Sequence, residues 1–568
     1  VTGAGRALAA LAAAAAATGG AGCVRERPPP APGVISISVE QASSWVRNFN
    51  PLSPAAPARW PTIAGVYEPL LVHNSQKGEY VPWLALGHEW REGLRVLRFS
   101  LRPGVRWSDG RPFGARDVAF TFDLLRRFPA LDRSGVWGIV SGVRAVDDLT
   151  VEFDLSRPFV PILYDLAPQP IVPEHVWREV KDPVTWPNEH PVATGPFTEV
   201  RSFGAQVYEL GRNPRYWQPG RPRLEGLRFP AYPSNERANL ALVFGEVDWA
   251  ANFVPAVDRV FVGRDPDHHR YWFPPTASTI FLYANTARAP FDDVRVRKAL
   301  SMAIDRRLLV DVANYGYSRP ADATGLCDAY ARWKDGAPEA AAPGGEDPGA
   351  WVRHDPARAG ALLDEAGLRR GPDGWRTGPD GAPLRYDVLT VSGWSDWVRA
   401  AQVIARGLSA VGVRAQVRTS DFGAWFERVQ QGRFDLSLGW SIEGPTPYTP
   451  YRWLMSRATV KPVGEGSVSN WHRYASETAD RALAAFETEP DPARQRALMA
   501  EVTRAFQAEA PAIPLFPGPS WSAWSEERFQ GFPSASDPYA DPSPNKFDQR
   551  EILIPLTTIG PRPGRTGP

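Results

Sequence analysis

The segment 384–440 constrains the fold more than any other part of this chain. Residues 384–392, LRYDVLTVS, read as a strand. Ser395 is placed to cap a helix in which Val398, Ala401, Ile404, Ala405, Leu408 and Val411 form one apolar stripe, and Gly412 stops it. Residues 413–419 read as a second strand, 421–431 as a second helix and 434–440 as a third strand. Parallel neighbours need a crossover, so strand-helix-strand-helix-strand predicts an α/β unit on a parallel sheet. Ligands of such open sheets sit outside the carboxyl ends of the strands. Gly393-Trp394 and Gly439-Trp440 each follow or close a strand at that edge. The loop after the third strand continues SIEGPTPYTPY, with Ser441, Glu443, Tyr448 and Tyr451. Rigid rings at two matching strand ends, beside one acid, point to a binding surface.

With 568 residues the chain exceeds a single core and calls for several domains. It is 43% apolar and 22% charged, a globular composition. Net charge is +1 and no basic run interleaves with aromatics, so nucleic acid is not an expected partner. Cys23 and Cys327 make no disulfide framework and no metal pattern. No Walker A, GxGxxG, GxSxG or HExxH run occurs, and no cofactor or metal is expected. His268-His269 follows Asp265-Pro266-Asp267 and reads as solvated loop. A glycosidase would need two carboxylates about 5–10 Å apart; Glu443 with Asp396 or Asp435 could supply them, but nothing singles out a pair. Tryptophan is abundant, 22 in all, which favours a ligand with flat or ring faces.

Elsewhere, VISISVE from Val34 alternates as a strand, and the loop after it carries Trp45, Asn48 and Asn50. Leu97, Phe99 and Leu101 share a strand face, residues 115–125 read as a helix and 149–155 as a strand, together a small α+β unit. Residues 238–250 read as a helix running into a strand. Asp491-Pro492 opens a long helix to about residue 510. AIPLFPG is a late strand, WSAW follows at 521–524, and the tail from 561 to 568 is Pro/Gly-rich and expected to be disordered.

The N-terminus holds Arg6, an apolar run and small residues ahead of Cys23. The run falls short of the ~20 residues that span a bilayer, and it fits an export signal over 1–22. Gly20–Cys23, GAGC, resembles a bacterial lipoprotein box with Cys23 as the lipidated residue. Residues 23–33 are a Pro-rich tether. A lipoprotein held at the outer face of a membrane, periplasmic or on the cell surface, is the expectation.

Several stretches together resemble one family: WLALGHEW (83–90), FSLRPGVRWSDGRPFGARDVAFTFDLL (99–125), VATGPF (192–197), RNPRYW (212–217), GEVDWA (245–250), ANTARAPFDDVRVRKALSMAIDR (284–306) and GRFDLSLGW (432–440). The chain is similar to family 5 extracytoplasmic solute-binding proteins, the peptide/nickel/oligosaccharide class of ABC importers. The resemblance implies a two-lobed periplasmic-binding-protein fold of type II, α/β, with an extra subdomain inserted in the first lobe. The first lobe would comprise 34–66, 192–289 and a return over 521–560. The inserted subdomain would be 67–191, and the second lobe 290–520.

The resemblance further implies a monomer that closes on a small-molecule ligand and hands it to ABC permease subunits served by separate ATPase subunits. Peptide-binding members carry an Asp shortly after the last Gly-Trp that pairs with the ligand's amino group; here the nearest acid is Glu443. Ser437 stands where some oligopeptide binders carry Arg. Both departures weaken the case for charged handles on peptide ends, and the GWS…GPTPY wording, with the surplus of tryptophan, resembles members that take β-linked oligosaccharides, whereas family frequency favours an oligopeptide. The expected ligand contacts are Trp394, Trp440 and Trp471 by stacking, and Ser441 and Glu443 by hydrogen bonding. Trp45, Asn48 and Asn50 would face them from the first lobe, with Asn285 near the crossover. A secreted glycoside hydrolase and a chemoreceptor partner of the same fold are the rival classes.

Overall fold

In the computed structural model the segment 384–440 forms three parallel strands, Arg385–Val391, Arg414–Ser420 and Leu436–Trp440. Val388 of the central strand pairs with Val417 on one side and Leu436 on the other. The structure describes residues 31–39, 41–54, 62, 65–334, 347–546 and 550–563. Cys23, the signal segment and most of the tether therefore lie outside the described residues.

The first crossover helix, Ser395–Ala410, buries Ala401, Ile404 and Leu408, the stripe expected of it. Its cap differs from the expectation. Ser395 is the first helical residue, and Trp394 occupies the cap position without a side-chain hydrogen bond. The Asp396 carboxylate instead accepts from first-turn N–H groups, its own and that of Trp397. The second crossover helix, Phe422–Gln430, is capped by Asp421, which accepts from Ala424 N. Asp491 does the same for Pro492–Glu509, accepting from Arg494 N.

Two further strands complete this sheet, and they make it mixed rather than parallel. Ala277–Ala284 runs antiparallel to Leu436–Trp440, and Ile513–Gly518 runs antiparallel to Ala277–Ala284. Both strands are continuous with segments that cross directly from another sheet, with no helix to reverse their direction. That other sheet has seven strands, in the order His269–Tyr271, Ala523–Ser525, Trp249–Ala250, Val34–Ser38, Gly226–Pro230, Val207–Gly211 and Glu199–Phe203.

The chain thus leaves the seven-stranded sheet after Tyr271, enters the five-stranded one at Ala277, and returns between Gly518 and Ala523. The boundary expected at 289 is corrected by this: Ala277–Ala284 already pairs within the second lobe, and the motif at 284 begins at the end of that strand. Ahead of the crossing, a four-stranded antiparallel sheet (Ala85–Arg91, Val96–Leu101, Thr150–Leu155, Val140–Asp147) is covered by the helix Ala115–Arg127. Phe122 of that helix packs edge-on against Phe153 with centroids 4.7 Å apart. At the far end, Gly560–Pro561 pairs with Phe529–Gln530. The ordered fold therefore extends past the expected start of the tail, because Phe529 offers it a strand partner.

Candidate functional site

Leu436 to Gly439 are buried and Trp440 is half-buried, so the strand delivers one ring to the lobe surface as it ends. Gly439 is required by what packs on it: an added Cβ would lie 2.6 Å from the Tyr283 ring and 3.2 Å from Trp471. Trp394, at the end of the neighbouring strand, lies 6.1 Å from Trp440 between centroids. Trp397 and Phe422 border the same space, a cavity of about 300 Å³ between the lobes. Ser441 and Glu443 line it as well. The structure therefore brings together four expected residues, Trp394, Trp440, Ser441 and Glu443.

The other expected contacts sit elsewhere, each for an identifiable reason. Trp45 is 5% exposed, donates from Nε1 to Phe229 O and packs edge-on against Tyr208, inside the first lobe. Asn50 is fully buried and donates to Pro183 O and Trp186 O, tying the inserted segment to the first strand's loop. Asn48 accepts from Asn50 N in the same turn. Asn285 is fully buried and donates to Gly432 O and Phe434 O. Trp471 is 1% exposed and stands edge-on behind Trp440 at 5.3 Å, a support for that ring rather than a wall of the cavity. Tyr448 and Tyr451 of the opening loop turn inward, to Glu487 and to Thr324 O.

The first lobe faces the rings with amides instead: Gln41, Asn235, Asn252 and Asn545, together with Trp521. Asn252 is 3% exposed and its Oδ1 has no hydrogen-bond partner among the described residues. No local pattern marks these amides; only WSAW, as a ring cluster near the return, hinted at Trp521.

The site holds two acids in different electrostatic states. Glu443 Oε1 accepts from Ser278 N at 3.2 Å and Oε2 from Lys546 Nζ at 2.7 Å. Burial works against the Lys546 ammonium, but Asp541, Glu443 and Glu551 outweigh it and hold its pKa above the usual lysine value. Burial pushes Glu551 up to about 7. Asp396 is pushed up to about 6 by burial, offset in part by backbone N–H groups, Arg399 and the Asn235 amide of the opposite lobe.

The lobes touch. Asn235 N donates to Gly393 O at 3.4 Å, and an added Cβ at Gly393 would lie 3.1 Å from Pro233 O. Arg332 donates to Gly78 O, Arg157 pairs with Glu487 at 2.7 Å, and Phe159 meets Tyr448. The cleft is closed over its rings.

Residues 79–461 match the family model described as bacterial extracellular solute-binding proteins, family 5 middle. The chain is 27% identical over 435 residues to the nickel-binding periplasmic protein of Escherichia coli, covering 73% of this chain and 78% of that one. It is 27% identical over 442 residues to a glutathione-binding protein of Salmonella paratyphi A, covering 76% and 79%. Its structure is similar to a mannohexaose-bound periplasmic oligopeptide-binding protein of an ABC transporter from Thermotoga maritima, with a TM-score of 0.80 and 26% identity, over 94% of this chain and 99% of that one.

Proposed function

Starting from a chain that belongs to the family 5 bacterial extracellular solute-binding proteins, the solute-binding components of ABC importers, we propose that it captures a short oligosaccharide between its lobes. The observation that carries this reading is the division of the cleft. Trp394, Trp440 and Phe422 form an aromatic wall on the second lobe, and Gln41, Asn235, Asn252 and Asn545 form an uncharged amide wall on the first. Sugar rings present apolar faces to aromatics and hydroxyls to amides, so the two walls suit the two sides of one ligand. Asn252 Oδ1, buried without a partner among the described residues, is an acceptor that a hydroxyl would satisfy. The cavity of about 300 Å³ stands at the lower end of small-molecule pockets. The mannohexaose-bound relative supports the same chemistry.

An oligopeptide is the second reading, favoured by the relative named for glutathione. A thermal-shift screen of cello-, laminari- and xylo-oligosaccharides against di- to pentapeptides separates the two. Ligand at about 100 times its dissociation constant adds ~2.7 kcal/mol. Stabilisation by oligosaccharides is expected; stabilisation by peptides alone would overturn the sugar reading. The closed body would act as a monomer at the outer membrane face, delivering ligand to a permease and anchored through a lipid on Cys23. Replacing Cys23 by Ser should release the protein from membranes on fractionation, and retention of the variant would exclude the anchor.

A further inference from the structure

Glu443 borders the cleft, yet both of its carboxylate oxygens are engaged within the protein, Oε1 by Ser278 N and Oε2 by Lys546 Nζ. Glu443 belongs to the second lobe and Lys546 to the return segment of the first, so the pair crosses the cleft. The lysine is held from behind. Its side chain is 9% exposed and lies 3.5 Å from Asp541. Asp541 in turn accepts from Ser520 Oγ at 2.7 Å, and its backbone N–H donates to Glu551 at 3.0 Å.

A bare carboxylate in a closed, poorly solvated cleft attracts an ammonium strongly. One already matched by a lysine attracts none, and a second cation would meet the like charge of Lys546. Pairing needs both lobes in place, so this discrimination operates as the cleft closes.

We infer that Lys546 is a specificity-determining residue: by neutralising Glu443 from the opposite lobe it makes the closed cleft select ligands that present a hydroxyl or other neutral group there and reject ligands that present an ammonium. The inference rests on the oligosaccharide reading and extends it from ring contact to charge. It also accounts for Glu443 standing in the cleft with both oxygens engaged; the second acid of the lining, Asp396, accepts from its own N–H and that of Trp397, and the remaining polar groups are amides and hydroxyls.

The test uses two pairs of ligands that differ in ammonium charge: cellotriose with its 2-amino counterpart, the glucosamine trimer, which carries three ammonium groups, and a tripeptide with its N-acetylated form, which differ by one. Affinities are measured by titration calorimetry below the pKa of the amine. In the wild type the member of each bound pair that lacks the ammonium should win by at least about tenfold. Lys546→Met should abolish that preference and Lys546→Arg should keep it, a ratio that a merely structural lysine would not control. Should Lys546→Met fail to fold, the charge-balanced pair Asp541→Asn with Lys546→Gln uncovers Glu443 in the same way. A wild type that favours the amine, or a Lys546→Met protein that retains the preference, would overturn the inference. Binding of the peptide pair alone overturns the sugar reading while still testing Lys546; binding of none of the four overturns both.

Discussion

Trp440 has five other rings within 6.2 Å between centroids: Trp394, Trp397, Trp425, Phe426 and Trp471. Its orientation is thereby settled before ligand arrives, which lowers the entropy cost of stacking. Trp440→Ala should weaken ligand binding by more than about 1 kcal/mol, read by calorimetry; affinity within about twofold of wild type would remove Trp440 from the site. Asp396 makes a pH prediction. Its carboxyl is raised to about 6 from 3.8, chiefly by burial. The folded state then holds this proton more tightly than the unfolded chain, so ionising it costs stability, and the cost accrues as pH rises from about 4 to 6. The shift of about two units sets a ceiling near 3 kcal/mol. Asp396→Asn should therefore gain melting temperature relative to wild type as pH rises through that window. A difference independent of pH would show that Asp396 does not titrate there.

The strand Leu436–Trp440 illustrates how an element carries function through packing. Its residues up to Gly439 are buried, with Ser437 Oγ accepting from Trp425 Nε1 of the second crossover helix and the rings of Tyr283 and Trp471 packed on Gly439. Gly439→Ala would drive a methyl to 2.6 Å from the Tyr283 ring. Overpacking of this kind costs ~1–3 kcal/mol, measurable as a lower denaturant midpoint, and it should also displace Trp440 and reduce affinity. The elements themselves were largely legible in advance. Asp491 caps the helix it precedes, and the apolar stripe of Ser395–Ala410 faces the sheet, because caps and periodicity are properties of a few neighbouring residues. The cap at Ser395 was misplaced because Asp396, one residue later, competes for the same N–H groups.

At the scale of the whole molecule, two lobes joined by crossings at 271–277 and 518–523 meet over the cleft. Gly393 lies where they approach, and an added Cβ there would stand 3.1 Å from Pro233 O. Gly393→Leu should hold the lobes apart, giving a larger radius of gyration by solution scattering and at least about tenfold weaker binding, with the secondary structure retained. An unchanged radius and affinity would mean that this contact does not limit closure.

The sequence by itself determined the strand-helix alternation and the placing of Trp394 and Trp440 at one sheet edge, which depend on short-range periodicity, and the order of motifs through which the chain resembles its family. It did not determine which polar groups meet the ligand. Asn50 and Asn285 look as available as Asn235 and Asn252 in a linear reading, but the first pair is consumed by carbonyls of distant loops. Glu443 looks like a ligand-binding acid until Lys546, 103 residues away in the chain, is folded against it from the other lobe. Burial and pairing of a polar group depend on contacts between remote segments, and those contacts exist only once both lobes are built and closed.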